Sequence, residues 1–397
     1  MDVTLKDLMN LKIFEGMELI AGEKGLSRKI TDCGILDYEF DRSLKNRYFH
    51  SNFHEHQLAL STFLYAKDDD YLINDAIKHL VKKEASGLAI KNIYRLPIHD
   101  SALRYAESMN FPIFIIDPTI FFEDIIISIE ECIQMLGSSF YGQKEIDTLL
   151  YKSLDQSNIK QHALQINPSL KNNFFIVYFY FKNNFDNQLF LKVQTCFKNS
   201  KFNQPSISLL RFNNGFILLY SKGFIDQNDK DFLLTEIIHS LLDSVTSIAI
   251  GVSDLHYRLE EIKQAIQESF YAALLHNNLN SCFLPYRDIG TFKAIFPFAN
   301  SEPMEQFSQR YLNPLRDFDA ENTLLLLDTL TEFIKCNGNL RELSIKLSLH
   351  ENTLRYRLEK IAHLTGLNFK KPEHYEQLSL AVKVQICTDL LNEFGIL

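Results

Sequence analysis

The chain has no long apolar run, no closely spaced cysteines and no excess of positive charge. Its most apolar stretches, 111–116 and 121–129, fall short of the roughly 20 residues needed to cross a bilayer. The first twenty residues mix acidic and basic positions, which excludes an apolar signal-peptide segment. We therefore expect a cytoplasmic protein without a membrane span.

Motifs for metals, cofactors and catalysis are also missing. The six cysteines form no C-x-x-C pair, so we interpret them as reduced thiols. His50, His54 and His56 share one short segment, but apart from Glu55 and Asp41 no cysteine or carboxylate cluster at a fitting spacing completes a metal site. The alternatives are surface histidines or a pH-sensitive loop. No G-x-S-x-G, H-E-x-x-H or glycine-rich nucleotide loop is present. We predict no metal, no cofactor and no enzyme activity.

The net charge of −9 excludes a protein that coats nucleic acid over its whole surface, because phosphate binding is largely electrostatic. Any contact with DNA must be confined to a small patch. The 397 residues are enough for two or three packed cores. We expect an α/β domain over 1–120, a linking or dimerisation helix over 121–155, an α+β domain over 156–290 and an all-α domain over 291–397.

In the first domain, short apolar runs, read as strands over 58–65, 87–90 and 112–116, alternate with helix-period segments over 71–83 and 99–109. Continuously apolar strands with helices between them favour a parallel sheet covered on both faces. Ligands of such sheets bind beyond the carboxyl ends of the strands. Ordinary solvated loops are the alternative there. The candidate ligand-binding residues at those ends are Lys67, Asp68, Lys91, Asn92 and Asp117.

The segment after Pro118 is predicted to be helical to about Ser153. Its apolar residues follow a 3-4-3-4 spacing for about two heptads, which suits either a dimer seam or a helix that faces the core. The residues are Ile126, Ile129, Ile133, Leu136 and Phe140.

The order of elements over 172–290 is predicted to be β-α-β-β-α-β, followed by a long helix over 258–276. Asn213-Asn214-Gly215 separates two apolar runs, and such a step indicates a hairpin because tight primed turns require positive φ. This order is typical of ferredoxin-like or nucleotidyl-cyclase-like domains.

Residues 337–366 have the pattern of a helix-turn-helix. Leu340, Leu343 and Leu347 mark the first helix, and Ser348 to His350 supply the break. The second helix is expected at about Glu351–Thr365, with Gly366 at its end. Its buried stripe is predicted to be Leu354, Leu358, Ile361 and Leu364.

The second helix carries polar and basic residues of the kinds that bind bases and phosphates. Asn352, Thr353, Tyr356, Arg357 and Lys360 are predicted to lie opposite the buried stripe, where Arg357 would pair with guanine and Asn352 with adenine. Five Lys/Arg against three Glu between 337 and 366 contrast with the acidic chain. A generic solvated amphipathic helix would show the same pattern. Arg341 and Lys346 flank this face, and the predicted DNA-binding residues are His350, Asn352, Thr353, Arg355, Tyr356, Arg357 and Lys360.

The core of this segment, His-x-Asn-Thr-Leu-x-Tyr-Arg-Leu over 350–358, closely resembles the C-terminal helix-turn-helix of the PucR family of bacterial transcription regulators. Segments 4–26, 87–90 and 111–113 look like the N-terminal sensory domain of that family. The resemblance implies control of catabolic genes, often for purines or other nitrogen sources. It also implies double-stranded operator DNA and a small-molecule effector as partners of a homodimer or larger homo-oligomer.

The middle domain, whose end at 283–290 is also similar to the PucR family, resembles a degenerate diguanylate cyclase domain. Active cyclases carry Gly-Gly-Asp/Glu-Glu-Phe on the central hairpin, where carboxylates hold metal ions. This chain has Arg-Phe-Asn-Asn-Gly-Phe over 211–216, so we predict that cyclase activity is absent. The alternative function is a non-catalytic nucleotide-binding signalling module whose helix-turn-helix mediates protein contacts.

Overall fold

A computed structural model describes residues 3–9, 11–37, 53–183, 185–241, 248–276, 283–322 and 324–393. They divide into an N-terminal unit, Met1–Ile248 with Leu255–Lys263, and a C-terminal unit, Ala249–Asp254 with Gln264–Leu397. None of the helices in the described ranges combines the length and apolar character needed to cross a membrane. The four-domain division stays a prediction.

The N-terminal unit contains a five-stranded sheet in the order β1-β5-β4-β3-β2. Strands β2 to β5 are parallel, and β1 is antiparallel to β5. The predicted parallel sheet is therefore confirmed for β3, β4 and β5, whereas β1 and β2 were not predicted. The strands are β1 (Met17–Ala21), β2 (Asp32–Ile35), β3 (Gln57–Ser61), β4 (Gly87–Ile90) and β5 (Ile113–Ile116).

Among the described residues, three helices accompany this sheet: α1 (Leu5–Leu8), α2 (Tyr71–Lys82) and α3 (Asp100–Ser108). The predicted strand over 58–65 is wrong in its second half, because β3 stops at Ser61. Phe63 adopts a left-handed φ of 53° and buries its ring, and the backbone then forms a short 3-10 turn.

Helix α4 (Phe122–Tyr151) is followed by α5 (Gln156–Ile166), and α4 packs against β2 and α5. Its buried apolar residues are Ile125, Ile129, Cys132 and Leu136 in the first half and Ile146 and Leu149 in the second half. The core-facing interpretation is thus confirmed, with a stripe displaced toward 125 and 132. The predicted seam positions Ile126, Ile133 and Phe140 are half-buried, and a dimer seam there stays a prediction.

The rest of the N-terminal unit contains β6 (Asn173–Phe181), α6 (Asn187–Lys198), β7 (Ile207–Phe212), β8 (Gly215–Lys222) and α7 (Gln227–Leu241). Strand β8 is antiparallel to both β6 and β7. The strand that follows along the chain is β9 (Ile248–Val252). This sequence of elements confirms the predicted β-α-β-β-α-β order; the cyclase-like nature of the domain stays a prediction.

The hairpin between β7 and β8 turns at Asn213, whose φ is 47°. A Cβ atom on Gly215 would lie 1.9 Å from the carbonyl oxygen of Phe179, so only glycine fits this approach of β8 to β6. The Asn214 side chain accepts a hydrogen bond from the Phe185 backbone at 2.8 Å and donates one to the Asn183 carbonyl at 2.8 Å. These bonds explain why an amide occupies the tip of the hairpin.

The described residues include no group of three or more side chains placed to hold a metal ion. His54 Nε2 lies 3.3 Å from a carboxylate oxygen of Asp32, and His56 Nε2 lies 2.9 Å from Glu55. His50 lies outside the described residues. Cysteines 33, 132, 196, 336 and 387 are free thiols, and burial raises the pKa of Cys132 to about 12.

The C-terminal unit is mainly helical. Strand β9 pairs in parallel with β10 (Leu284–Pro285). The predicted helix over 258–276 starts later than expected, at Ile262, after a 3-10 turn. The core of the C-terminal unit includes Leu312, Leu330, Ile361 and Leu378, all fully buried. The helices are α8 (Ile262–His276), α9 (Phe292–Ile295), α10 (Glu302–Glu321), α11 (Leu326–Lys335), α12 (Leu340–Leu347), α13 (Glu351–Thr365) and α14 (Pro372–Glu393).

Candidate nucleic-acid interface

Helices α12 and α13 form the helix-turn-helix with the predicted bounds. Helix α12 begins after Asn339, whose side-chain oxygen accepts backbone hydrogen bonds from residues 341 and 342. It ends at Ser348, which is left-handed with a φ of 54°. Helix α13 begins after His350, whose Nδ1 accepts from the Asn352 backbone at 3.2 Å, and it ends at the left-handed Gly366.

A small apolar core fixes the angle between the two helices. Leu343 of α12 and Leu354 of α13 are fully buried and lie in one cluster with Phe333 of α11. The Phe333 ring meets Phe369 edge to face, with centroids 5.3 Å apart. Each buried leucine contributes roughly 1.5–3 kcal/mol, so the pair holds α13 in a defined orientation.

The outer face of α13, defined here as Asn352, Thr353, Arg355 and Tyr356, is exposed. Within the described ranges, the side chains of Asn352, Thr353 and Tyr356 form no hydrogen bond. Arg355 approaches Glu351 at 3.5 Å, and such an exposed pair contributes little stability. These side chains therefore offer donors and acceptors to an external partner.

Arg357 does not lie on the outer face, so that prediction is wrong. Its side chain is half-buried, and Nη1 donates to Oγ1 of Thr329 on α11 at 3.0 Å. Thr329 is fully buried and donates in turn to the Leu325 carbonyl. Arg357 follows Leu354 by three residues and precedes Ile361 by four, which places it on the buried side of the helix.

Lys360 and His350 occupy the edge of the outer face. Lys360 is half-buried, because its ammonium lies 5.0 Å from the ring centroid of Phe318 on α10. The prediction that Lys360 points away from the buried side is therefore wrong in part. His350 is exposed, and it caps α13 through Nδ1 alone of its two ring nitrogens.

A carboxylate organises the basic residues that flank the helix-turn-helix. Glu332 lies 2.8 Å from Lys335 and 2.6 Å from Lys346. Partial burial opposes ionisation of Glu332, but hydrogen bonds from the two lysines outweigh it and lower its pKa. The hydrogen bond that Lys346 donates to Glu332 raises the pKa of Lys346. Arg341 is exposed on α12 and keeps its charge available.

The candidate ligand residues at the carboxyl ends of β3 and β4 differ in their availability. Lys67 and Asp68 are exposed. Lys91 donates from Nζ to the Ile120 carbonyl at 2.7 Å, and its ammonium lies 5.0 Å from the ring centroid of Phe121. The Lys91 ammonium is thus already engaged by the loop after β5.

Asn92 and Asp117 also bond to their own loops. Asn92 accepts from the Leu96 backbone N–H at 2.8 Å and donates to the Leu96 carbonyl at 2.9 Å. Asp117 accepts from both the backbone and the hydroxyl of Thr119, at 2.8 and 2.6 Å. The hydrogen bonds from Thr119 lower the pKa of Asp117. Both side chains shape loops, and their role toward a ligand stays a prediction.

Two family models match this chain. The PucR C-terminal helix-turn-helix domain matches residues 326–384, and the Purine catabolism regulatory protein-like family matches residues 7–133. This chain carries both PucR-type domains. The C-terminal PucR match begins with α11 and contains α12 and α13, so the geometry described above is that of the matched domain.

Three curated relatives come from Bacillus subtilis. The Purine catabolism regulatory protein is 27% identical over 35% of this chain and 26% of its own length. The proline-responsive transcriptional activator PutR is 22% identical over 38% of this chain and 39% of its own length. The DNA-binding transcriptional activator AdeR is 28% identical over 19% of this chain and 18% of its own length. The chain thus matches well under half the length of these relatives.

Proposed function

We propose that this chain is a DNA-binding transcription regulator in which α13 reads double-stranded operator DNA. The observation that carries the proposal is the outer face of α13, where the side chains of Asn352, Thr353 and Tyr356 project from a well-packed helix and form no hydrogen bond within the described ranges. The PucR helix-turn-helix match and the names of the relatives support it. Those relatives are transcriptional regulators, and we propose no catalytic role.

The regulated genes and the effector are proposed from the same relationships. The PucR model over 7–133 and relatives named for purine catabolism and for a response to proline support a small-molecule effector and a catabolic operon. We propose that the effector binds the N-terminal sheet and that a homodimer places two copies of α13 on neighbouring half-sites. Such half-sites are about 34 Å apart or a multiple of that distance.

The direct test is selection of bound duplexes from a random DNA pool by the full chain, followed by footprinting and titration at several salt concentrations. We expect two half-sites and an affinity that falls linearly on a log-log plot against salt. Tyr356→Ala should lose the footprint, whereas the control Tyr257→Ala, an exposed tyrosine of the N-terminal unit, should keep it. A pool without enrichment would favour protein contacts by the helix-turn-helix instead.

A further inference from the structure

The C-terminal unit contains a cavity of about 400 Å³ beside the helix-turn-helix. One wall is apolar and includes Leu284, Ile334 and Ile386. Lysines 335, 346 and 383 also line it. The cavity thus combines a hydrophobic wall with several cationic groups, which is the composition of many small-molecule sites.

The charges at the cavity leave an excess of positive charge. Lys335 and Lys346 share the single carboxylate of Glu332. Lys383 donates to the Thr291 hydroxyl at 3.0 Å, and it forms no ion pair with any carboxylate in the described ranges. Asp288 also lines the cavity, and its carboxylate lies 3.9 Å from Arg287. A positive site in a chain of net charge −9 favours an anion.

We propose that this cavity binds a small organic anion that carries one negative group on an apolar body. The ammonium of Lys383 retains further donors for a carboxylate, sulfonate or phosphate oxygen. The wall formed by Ile334 and Ile386 would take the apolar body out of water. One lysine without a carboxylate partner suits a monoanion better than a polyphosphate.

The position of the cavity gives such a ligand access to the helix-turn-helix. Ile334 and Lys335 belong to α11, and Lys346 belongs to α12. An anion in the cavity would compete with Glu332 for Lys346 and change how α12 is held. Coupling between anion and DNA would be reciprocal, and this last step rests on the proposed function.

The test uses 1-anilinonaphthalene-8-sulfonate, a fluorescent organic anion, with the full chain. We expect saturable binding that 4-phenylbutyrate displaces and that neither inorganic phosphate nor 4-phenylbutanol displaces. Lys383→Met should weaken the displaceable binding at least tenfold, and Lys383→Arg should largely retain it. Ile386→Trp should abolish binding by filling the cavity.

Two variants serve as matched controls, Lys370→Met at an exposed lysine and Ile93→Trp at an exposed isoleucine of the N-terminal unit. Both should bind the probe as the parent does, and circular dichroism should show that all variants are folded. Equal displaceable binding by Lys383→Met, Ile386→Trp and the controls would overturn the proposal. Because this assay contains no DNA, its failure leaves the regulator proposal intact, and loss of DNA binding alone leaves the anion site intact.

Discussion

Two polar regions of this chain differ in whether their side chains form hydrogen bonds within the protein. At the carboxyl ends of the N-terminal strands, Asn92 and Asp117 bond to the backbone of their own loops, and Lys91 bonds to the backbone of the loop after β5. On the outer face of α13, the side chains of Asn352 and Tyr356 project into solvent and form no hydrogen bond within the described ranges. Both regions contain residue types suited to a ligand.

The difference arises from the backbone beneath the side chains. An irregular loop leaves N–H and C=O groups unpaired, and nearby Asn, Asp and Lys side chains satisfy them. A helix pairs its own backbone groups after the first turn, so its outward side chains find no partner inside the protein. What distinguishes a recognition surface from a polar loop is therefore whether the side chains are free to bond an external partner, more than which residue types are present.

The largest expected effect is on DNA affinity, from a substitution on the outer face of α13. Asn352→Ala should reduce affinity for the selected DNA by roughly 1–3 kcal/mol and relax discrimination at one base position, as expected when a base contact is lost. Its free energy of unfolding should stay within about 0.5 kcal/mol of the parent, because the side chain is exposed. Binding titrations and urea unfolding measure the two quantities. Unchanged affinity and base preference would remove Asn352 from the interface.

Arg357 should behave as a positioning residue. Arg357→Met should lower the free energy of unfolding by about 1–2 kcal/mol, because the bond to the buried Thr329 hydroxyl is lost. Thr329→Val should have a similar effect, and the double variant should be less than additive.

Arg355→Met is the matched control on the exposed side of the same helix. It should leave stability within about 0.5 kcal/mol of the parent and reduce the salt slope of DNA binding by about one, as for a phosphate contact. If Arg357→Met instead changed the salt slope and left stability unchanged, Arg357 would contact DNA directly.

The bounds of α12 and α13 were predictable because their signals are local. Leucine spacing, the Ser348–His350 break and Gly366 all act within a few residues. The partner of Arg357 lies 28 residues earlier, so the sequence could not name it. The spacing of Arg357 from Leu354 and Ile361 nevertheless indicates its inward direction.

Other features depended on distant contacts. Strand β2 is short and only partly buried, so no apolar run in the sequence indicated a strand there. Its partner β3 begins more than twenty residues later, so its pairing could not be inferred from local sequence either. The buried stripe of α4 was displaced because Cys132, a small apolar residue, faces the core where Ile133 was expected. Residue type alone could not choose between these adjacent positions.

A smaller effect is expected at the loop edge. Asn92→Ala should lower the free energy of unfolding by about 1 kcal/mol, because two hydrogen bonds to the Leu96 backbone disappear. DNA affinity should not change. Lys67→Ala, at an exposed position of the same edge, should leave stability within about 0.5 kcal/mol. A stable Asn92→Ala variant would contradict the assigned loop role.

The smallest effect concerns pH. Because hydrogen bonds from Thr119 hold the pKa of Asp117 below its ordinary value, ionised Asp117 stabilises the folded state at neutral pH. This contribution is present above the unfolded pKa and is lost as pH falls through the folded pKa. Asp117→Asn should therefore be slightly less stable than the parent at pH 7, and the gap should close in acid. Urea unfolding across this range measures the gap, with exposed Asp68→Asn as the control expected to show none. A gap that widened in acid would mean that the Thr119 bonds do not favour the ionised carboxylate.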